Sequence, residues 1–178
     1  MANYKIIFSG PVGAGKTTSI ATISDVEPFV TEQIATDHVR DRKEQTTVAM
    51  DYGMLKLENN ERVHLYGTPG QERFNFMWDI LTDGGVGLIL LIDNKRPNPL
   101  DDFAFFLQLF KKFIEQTAVV VGVTRMDLTL KPILQDYHRV MRELSLNIPV
   151  FEVDARERKD VSYLVQTLMY SLDPRLVA

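Results

Sequence analysis

The sequence predicts an α/β fold, a three-layer α/β/α sandwich around a sheet of about six mostly parallel strands with flanking helices. Three observations predict it. Apolar runs of strand length alternate with longer amphipathic stretches along the chain, the pattern of a parallel sheet wrapped by helices. Two of those runs, Val86–Asp93 and Thr117–Thr124, are almost continuously apolar, as central strands covered on both faces must be. A turn rich in glycine, beginning at Gly10, joins the first strand to the first helix.

The elements follow in order. Tyr4-Lys5-Ile6-Ile7-Phe8-Ser9 reads as the first strand and Lys16 to about Ile23 as the first helix. Asp25 to about Gln45 is polar and poorly periodic, which predicts a long loop with at most one helical turn. Thr47–Leu57 and Arg62–Tyr66 alternate apolar and polar residues around the turn Glu58-Asn59-Asn60-Glu61, and so predict a hairpin. Gln71–Leu81 reads as an irregular helix. Leu100–Phe113 carries apolar residues at helical spacing between the two central strands. Pro132–Leu144 and Asp160–Leu172 read as amphipathic helices flanking a short strand, Pro149–Val153.

Composition narrows the function classes. At 178 residues the chain is one domain's worth, and 45% hydrophobic with 25% charged residues is ordinary globular composition, so neither disorder nor a fibrous repeat is in view. The absence of cysteine excludes disulfides, thiolate metal sites and cysteine nucleophiles. A net charge of −4 exerts no general pull toward nucleic acid, and none is expected as a partner. No apolar run approaches the ~18 residues of a membrane span. No signal-peptide core, no myristoylation glycine at Ala2 and no prenylation box at Leu176-Val177-Ala178 is present, so the expectation is a cytoplasmic protein without direct membrane insertion.

Gly10-Pro11-Val12-Gly13-Ala14-Gly15-Lys16-Thr17 matches the phosphate-loop pattern G-x-x-x-x-G-K-[ST] at every position, between a strand and a helix. Glycines let successive N–H groups turn inward around a phosphate, and the helix N-terminus adds partial positive charge. Lys16 would supply a full charge to the β and γ phosphates, and Thr17 a hydroxyl to Mg2+. The loop alone does not choose among a GTPase switch, an ATPase and a small-molecule kinase.

Downstream, Gly67-Thr68-Pro69-Gly70-Gln71-Glu72-Arg73-Phe74 follows the third strand. With the phosphate loop it resembles the Ras-like small GTPases, whose third strand ends in D-x-x-G-Q-E. That resemblance implies that Gly70 gives its N–H to the γ-phosphate and that Gln71 orients the attacking water. Thr47-Val48-Ala49-Met50-Asp51-Tyr52 is similar to the T-x-G-x-D-F of Rab-type members, which implies that Thr47, or failing it Thr46, closes over the γ-phosphate and Mg2+. Thr124-Arg125-Met126-Asp127 stands where the family has N-K-x-D. Asp127 would accept hydrogen bonds from the guanine N1 and 2-amino groups, which adenine cannot donate, while Arg125 covers the base. Val153-Asp154-Ala155-Arg156 resembles the S-A-K loop, in which the alanine N–H meets the guanine oxygen.

The resemblance thus implies one small G domain over residues 1–178, binding GTP or GDP with Mg2+. Its nucleotide-binding residues would be Val12, Gly13, Ala14, Gly15, Lys16, Thr17, Thr18, Gly70, Thr124, Arg125, Asp127, Ala155 and Arg156. Lys16, Thr47 and Gln71 would be catalytic, and Thr17 and Thr47 would hold the metal.

Four departures from the family pattern stand out. Gly67 replaces the aspartate that normally holds a magnesium-bound water, Thr124 replaces the asparagine that braces the phosphate loop, and Val12 adds bulk near the γ-phosphate. The first switch is also long. A third strand without its aspartate, followed by G-T-P-G-Q, resembles the bacterial MglA-type proteins. The strings T-T-V-A-M-D-Y-G and G-T-P-G-Q-E-R-F-x-F-M-W-D resemble still more the D-component GTPases of multi-gene conservon operons. The departures argue for slow hydrolysis, since Val12 adds bulk and Thr46 stands where MglA-type members carry an arginine that helps catalysis. The branch implies a roadblock or longin-type regulatory partner and recruitment to a membrane complex through other subunits. Arg40, Arg42 and Arg73 are candidates for an arginine finger supplied by the chain itself.

Two other readings stay open. One is a GTP-loaded adaptor that does not hydrolyse. The other is an ATP-dependent kinase or ATPase, supported by Asp93 at the end of an apolar strand, where it mimics a magnesium-holding aspartate. The aromatic stretch Phe103, Phe105, Phe106, Phe110 and Phe113, and the apolar residues Phe74, Phe76, Met77 and Trp78 beside Gln71, are either core or partner surface.

Overall fold

A computed structural model of the protein describes residues 3–30, 51–57, 61–69 and 83–172. In chain order its elements are β1 (Asn3–Ser9), α1 (Lys16–Ile23), β2 (Phe29–Val30), β3 (Asp51–Lys56), β4 (Arg62–Gly67) and β5 (Gly87–Asp93). They continue with α2 (Pro99–Leu109), the single turn α3 (Lys111–Ile114), β6 (Ala118–Thr124), α4 (Leu134–Glu143), β7 (Val150–Val153) and α5 (Arg158–Leu172). All the strands join one sheet in the order β2-β3-β4-β1-β5-β6-β7. β1 is parallel to both β4 and β5, and β5, β6 and β7 run parallel, whereas β3 is antiparallel to β2 and β4.

The six expected strands are therefore present, and a two-residue edge strand is added to them. Its origin is local. Ser24 Oγ accepts the Met54 N–H at 3.1 Å, the Asp25 N–H donates to the Met54 carbonyl at 2.8 Å, and the Asp25 carboxylate accepts the Lys56 N–H at 2.9 Å. The chain leaving α1 is thereby laid along β3. Two polar residues that read as the start of a loop act as substitutes for sheet pairing. That Lys56 N–H, joined by the Arg158 guanidinium, holds the Asp25 carboxyl below its usual range.

Period-two alternation sends neighbouring strand residues to opposite faces and so builds two cores. Ile6, Phe8, Ile89 and Leu91 pack with Ile20 of α1 and with Leu164 and Leu168 of α5. Ile7, Leu88, Leu90 and Ile92 pack on the other face with Phe103, Phe106 and Phe110, and with Tyr137 of α4. β5 is buried along its whole length, which explains its unbroken apolar spelling.

The predicted helix over 100–113 breaks at Phe110, which ends α2 and starts α3. Phe103, Phe106 and Phe110 face the core and Phe113 packs partly against it, so only Phe105 remains exposed. The aromatic stretch is mainly core. The expected helix Gln71–Leu81 and the start of the hairpin at Thr47 lie outside the described residues.

This topology positions the site. Strand order reverses at β1, whose neighbours β4 and β5 connect on opposite sides, and in open α/β sheets ligands bind beyond the carboxyl ends of the strands at such a point. The loop after β1 lies there. Leu164 is fully buried between α5 and the sheet, so Leu164→Ala should lower unfolding stability by about 2–5 kcal/mol. A urea midpoint within error of the parent would contradict this packing.

Candidate functional site

The glycines of the phosphate loop are used for conformation and for space. Gly13 and Gly15 have φ of 83° and 97°, where a side chain is strained. Gly10 is needed for closeness as well, since a Cβ there would come within 2.0 Å of the Leu91 carbonyl oxygen. The loop is pressed onto β5.

Each carbonyl of the loop has a donor. Lys16 Nζ donates to Gly10 and Pro11 at 2.8 Å each, and the Pro11 carbonyl also accepts the Ala14 N–H at 3.2 Å. Arg96 reaches the Val12 carbonyl at 3.4 Å and Arg125 the Gly13 carbonyl at 3.0 Å. Thr124 Oγ1 lies 3.2 Å from the Ala14 carbonyl, and the Ser19 N–H donates to Gly15 at 2.8 Å. In a trans peptide the C=O and the following N–H point in opposite directions. With the carbonyls taken by these donors, the N–H groups of Val12, Gly13 and Gly15 carry no bond within the described residues and can serve as a nest for an anion.

Lys16 is 7% exposed despite its charge. Burial pushes its ammonium down to about 8, partly offset by the Asp51 carboxylate and reinforced by the positive charge of Arg96. Thr17 and Thr18 sit exposed in the first turn of α1.

Asp51 was missed by the sequence reading. Thr17 Oγ1 donates to Asp51 Oδ2 at 2.5 Å. The hairpin register pairs Asp51 with Gly67, and a Cβ on Gly67 would lie 2.9 Å from both Asp51 Cβ and Oδ2. The carboxylate of β3 thus lies beside Gly67 of β4, which leaves it room. The expected turn at Glu58–Glu61 would set position 51 opposite 68; the register that pairs Lys56 with Arg62 sets it opposite 67.

Asp93, the aspartate that mimicked a magnesium ligand, is engaged elsewhere. It forms a short ion pair with Arg125 and accepts the Lys95 N–H at 2.9 Å. Thr124 keeps the bracing role of the asparagine it replaces, since its hydroxyl lies 3.2 Å from both the Ala14 and the Ile92 carbonyls.

Beyond β6, Arg125 adopts a left-handed conformation (φ 59°) and opens a 3-10 turn over Met126–Leu128. Asp127 on that turn is exposed, and its carboxylate makes no hydrogen bond within the described residues. The neighbouring loop is tied down. Thr22 Oγ1 donates to the Ala155 carbonyl at 2.9 Å, and a Cβ on Gly15 would come 2.9 Å from Ala155 Cβ. Asp154 and Arg156 chelate each other, and the Arg156 side chain, aided by its N–H, holds the Asp154 carboxyl down to about 2. The Arg156 guanidinium is raised in turn, chiefly by Asp154 and to a lesser degree by the charge of Asp127.

Thr46, Thr47, Gly70, Gln71, Arg40, Arg42 and Arg73, together with Phe74, Phe76, Met77 and Trp78, lie outside the described residues. Among the described residues no cluster of three acidic or histidine side chains could hold a metal by itself, and no helix is long and apolar enough to cross a membrane.

A family model described as conserved hypothetical ATP binding protein matches residues 8–175. The chain belongs to this family. It is also similar to the Ras-related protein RabC of Dictyostelium discoideum, 21% identical over 177 residues, which covers 96% of this chain and 84% of that protein. An uncharacterized protein of Methanocaldococcus jannaschii is 29% identical over 92 residues, 52% of either chain, so the match spans about half of that relative's length. The protein is a nucleotide-binding P-loop protein of the NTPase type.

The buried lysine makes nucleotide binding depend on pH. Phosphate contacts favour the ammonium form, so binding above pH 8 must draw a proton onto Lys16. Affinity should be level below pH 7.5 and fall toward about tenfold per pH unit above 8, read by fluorescence titration at constant ionic strength. Over the window from about 8 to 10.5 the unfolded chain binds more protons at this lysine, so the free fold gains stability as pH rises. A nucleotide affinity that stays level to pH 9.5 would contradict the depressed lysine.

Proposed function

We propose that the protein is a guanine-nucleotide-binding switch that hydrolyses GTP slowly and signals through the segments carrying Thr47 and Gln71. The observation that carries the guanine reading is Asp127. Its exposed carboxylate, on a turn fastened to the phosphate loop through Arg125, is free within the described residues to accept two hydrogen bonds. Guanine presents two donors on one edge. Adenine presents a ring nitrogen lone pair in place of one of them, which a carboxylate repels. The Ala155 loop, tied to α1 and packed at Gly15, would bring its N–H to the guanine oxygen.

The residues around Thr17 fit Mg2+. A hydroxyl and a carboxylate 2.5 Å apart are hard oxygen donors, and an ion of this kind takes its other positions from phosphates and water. When bound, the ion would neutralise charge shared between the β and γ phosphates. Lys16 would bind the same phosphates, the loop N–H groups would orient them, and Gln71 would position the attacking water. The branch resemblance supports a roadblock or longin-type partner that reads the switch segments, with possession of Gln71 favouring hydrolysis over a fixed adaptor.

The ATP reading is favoured by one finding, the wording of the family description. Thermal protection separates the two. Micromolar GTP should raise the melting midpoint and ATP should not, and Asp127→Asn should transfer the preference to xanthosine triphosphate. Equal protection by ATP and GTP would overturn the guanine reading.

The carboxylate beside Thr17 has its own consequence. Asp51→Asn should weaken nucleotide binding about 10–100-fold in Mg2+ and leave it unchanged in EDTA. Equal losses in both buffers would assign Asp51 to loop structure alone.

A further inference from the structure

β5 ends at Asp93, and the next residue, Asn94, is 2% exposed. Its backbone N–H donates to the Thr124 carbonyl at 3.0 Å, which carries the pairing of β5 with β6 one step further. Both amide hydrogens and the carbonyl oxygen of its side chain are engaged. Nδ2 donates to Thr129 Oγ1 at 2.6 Å and to the Pro132 carbonyl at 3.0 Å, while Oδ1 accepts the Tyr137 hydroxyl at 2.6 Å. Tyr137, on α4, is itself fully buried, so the amide is backed by a side chain that packing has already fixed.

The turn that carries Asp127 has little else to hold it. Its own closing bonds are long, from the Leu128 N–H to the Arg125 carbonyl at 3.2 Å and from the Thr129 N–H to the Met126 carbonyl at 3.3 Å. Packing contributes through Met126, which lies partly against the core, whereas Leu128 and Leu130 are 59% and 95% exposed. The two ends of the turn are fastened instead. Arg125, before Asp127 in the chain, pairs with Asp93. Thr129, after it, is held by Asn94. Two consecutive residues at the end of β5 thus grip the turn on both sides of the carboxylate.

We infer that Asn94 is a positioning residue for base recognition, which sets through Thr129 where the Asp127 carboxylate stands. This inference rests on the guanine reading of Asp127 above and adds the residue that lets its two hydrogen bonds form together. A bidentate pair tolerates little error. Each bond weakens steeply once the angle at its hydrogen falls toward about 120° or the donor–acceptor distance passes about 3.2 Å. A turn pinned at Arg125 alone would pivot about that end, and one donor of the base could then be met only at the expense of the other. A recognition group must be held to within about 0.5 Å of its working position by the residues behind it, and here those residues are Thr129 and Asn94. Asn94 touches no nucleotide in this role; it acts through the turn.

The test measures affinities for GDP, inosine diphosphate and inorganic pyrophosphate in Mg2+. It compares wild type, Asn94→Ala and Thr129→Val, and Asp127→Ala with and without Asn94→Ala. Inosine lacks the 2-amino group of guanosine, so the ratio of the two nucleotide affinities reads the second hydrogen bond alone. Wild type should prefer GDP about 10–100-fold. Asn94→Ala and Thr129→Val should cut that preference to about threefold or less while keeping pyrophosphate affinity within about twofold, because the phosphate loop keeps its own donors. In the Asp127→Ala background, Asn94→Ala should cost no further GDP affinity. Thr129→Val preserves shape at a half-buried position and decides the matter if Asn94→Ala does not fold; wild-type discrimination in it would overturn the inference. Equal losses for GDP, inosine diphosphate and pyrophosphate would also overturn it, by reducing the network to a general brace. So would a GDP loss from Asn94→Ala that is undiminished without Asp127. If wild type itself does not tell guanine from hypoxanthine, the guanine reading falls and this inference with it. A discriminating wild type beside indifferent variants sinks Asn94 alone.

Discussion

The constraint on which this site depends is that every carbonyl of the loop over residues 10–15 must find a donor. A peptide that shows its N–H to a ligand shows its C=O the other way, and a buried carbonyl without a donor is costly. The protein meets the requirement with groups from far apart in the chain. Lys16 closes on Gly10 and Pro11, Arg96 approaches Val12, Arg125 bonds Gly13 and Thr124 reaches Ala14. The donors are mostly cations. This fastening therefore also surrounds the loop with positive charge, and the same side chains that shape the nest make it attractive to polyphosphate. The cost is visible at Lys16, whose burial makes its charge harder to keep.

The fastening also joins the two ends of the site. Arg125 and Thr124 belong to the strand that leads into Asp127, and both bond the phosphate loop. Ala155 is held by Thr22 of α1 and touches the space beside Gly15. The Asp127 turn, the Ala155 loop and the phosphate loop thus form one connected piece of backbone. Behind it, Tyr137 donates to Asn94 at 2.6 Å, and Asn94 donates to Thr129 at 2.6 Å and to the Pro132 carbonyl at 3.0 Å. The chain following the base loop is anchored by a buried polar network in place of packing alone.

Much of this could be read directly from residue order. The loop spelling named its own conformation, because only glycine tolerates the dihedral angles at positions 13 and 15 and only an unbranched approach fits at Gly10. The strands β5 and β6 announced their burial by having no polar face. The four departures from the family pattern were harder. Thr124 looked like the loss of a brace, yet its hydroxyl spans two carbonyls, since one oxygen placed on the strand end reaches what an amide would reach. Gly67 carries no carboxylate of its own, and the one beside Thr17 belongs to Asp51, opposite it across the hairpin. Asp93 mimicked a metal ligand in the ATP-dependent reading, and in the structure it pairs with Arg125. In each case the partner comes from another strand or loop, which the spelling of one position does not name.

What the sequence determined by itself was local: periodicity, turn chemistry and the phosphate loop, all set by interactions between residues close along the chain. What the tertiary structure decided was which distant side chain serves which point in space. Asp51 reaches Thr17 only because β3 lies beside β4 in a particular register, and Arg96 reaches Val12 only because β5 lies beside β1. Such neighbours are chosen by sheet order, and sheet order is an outcome of packing two cores at once, which no window of residues contains.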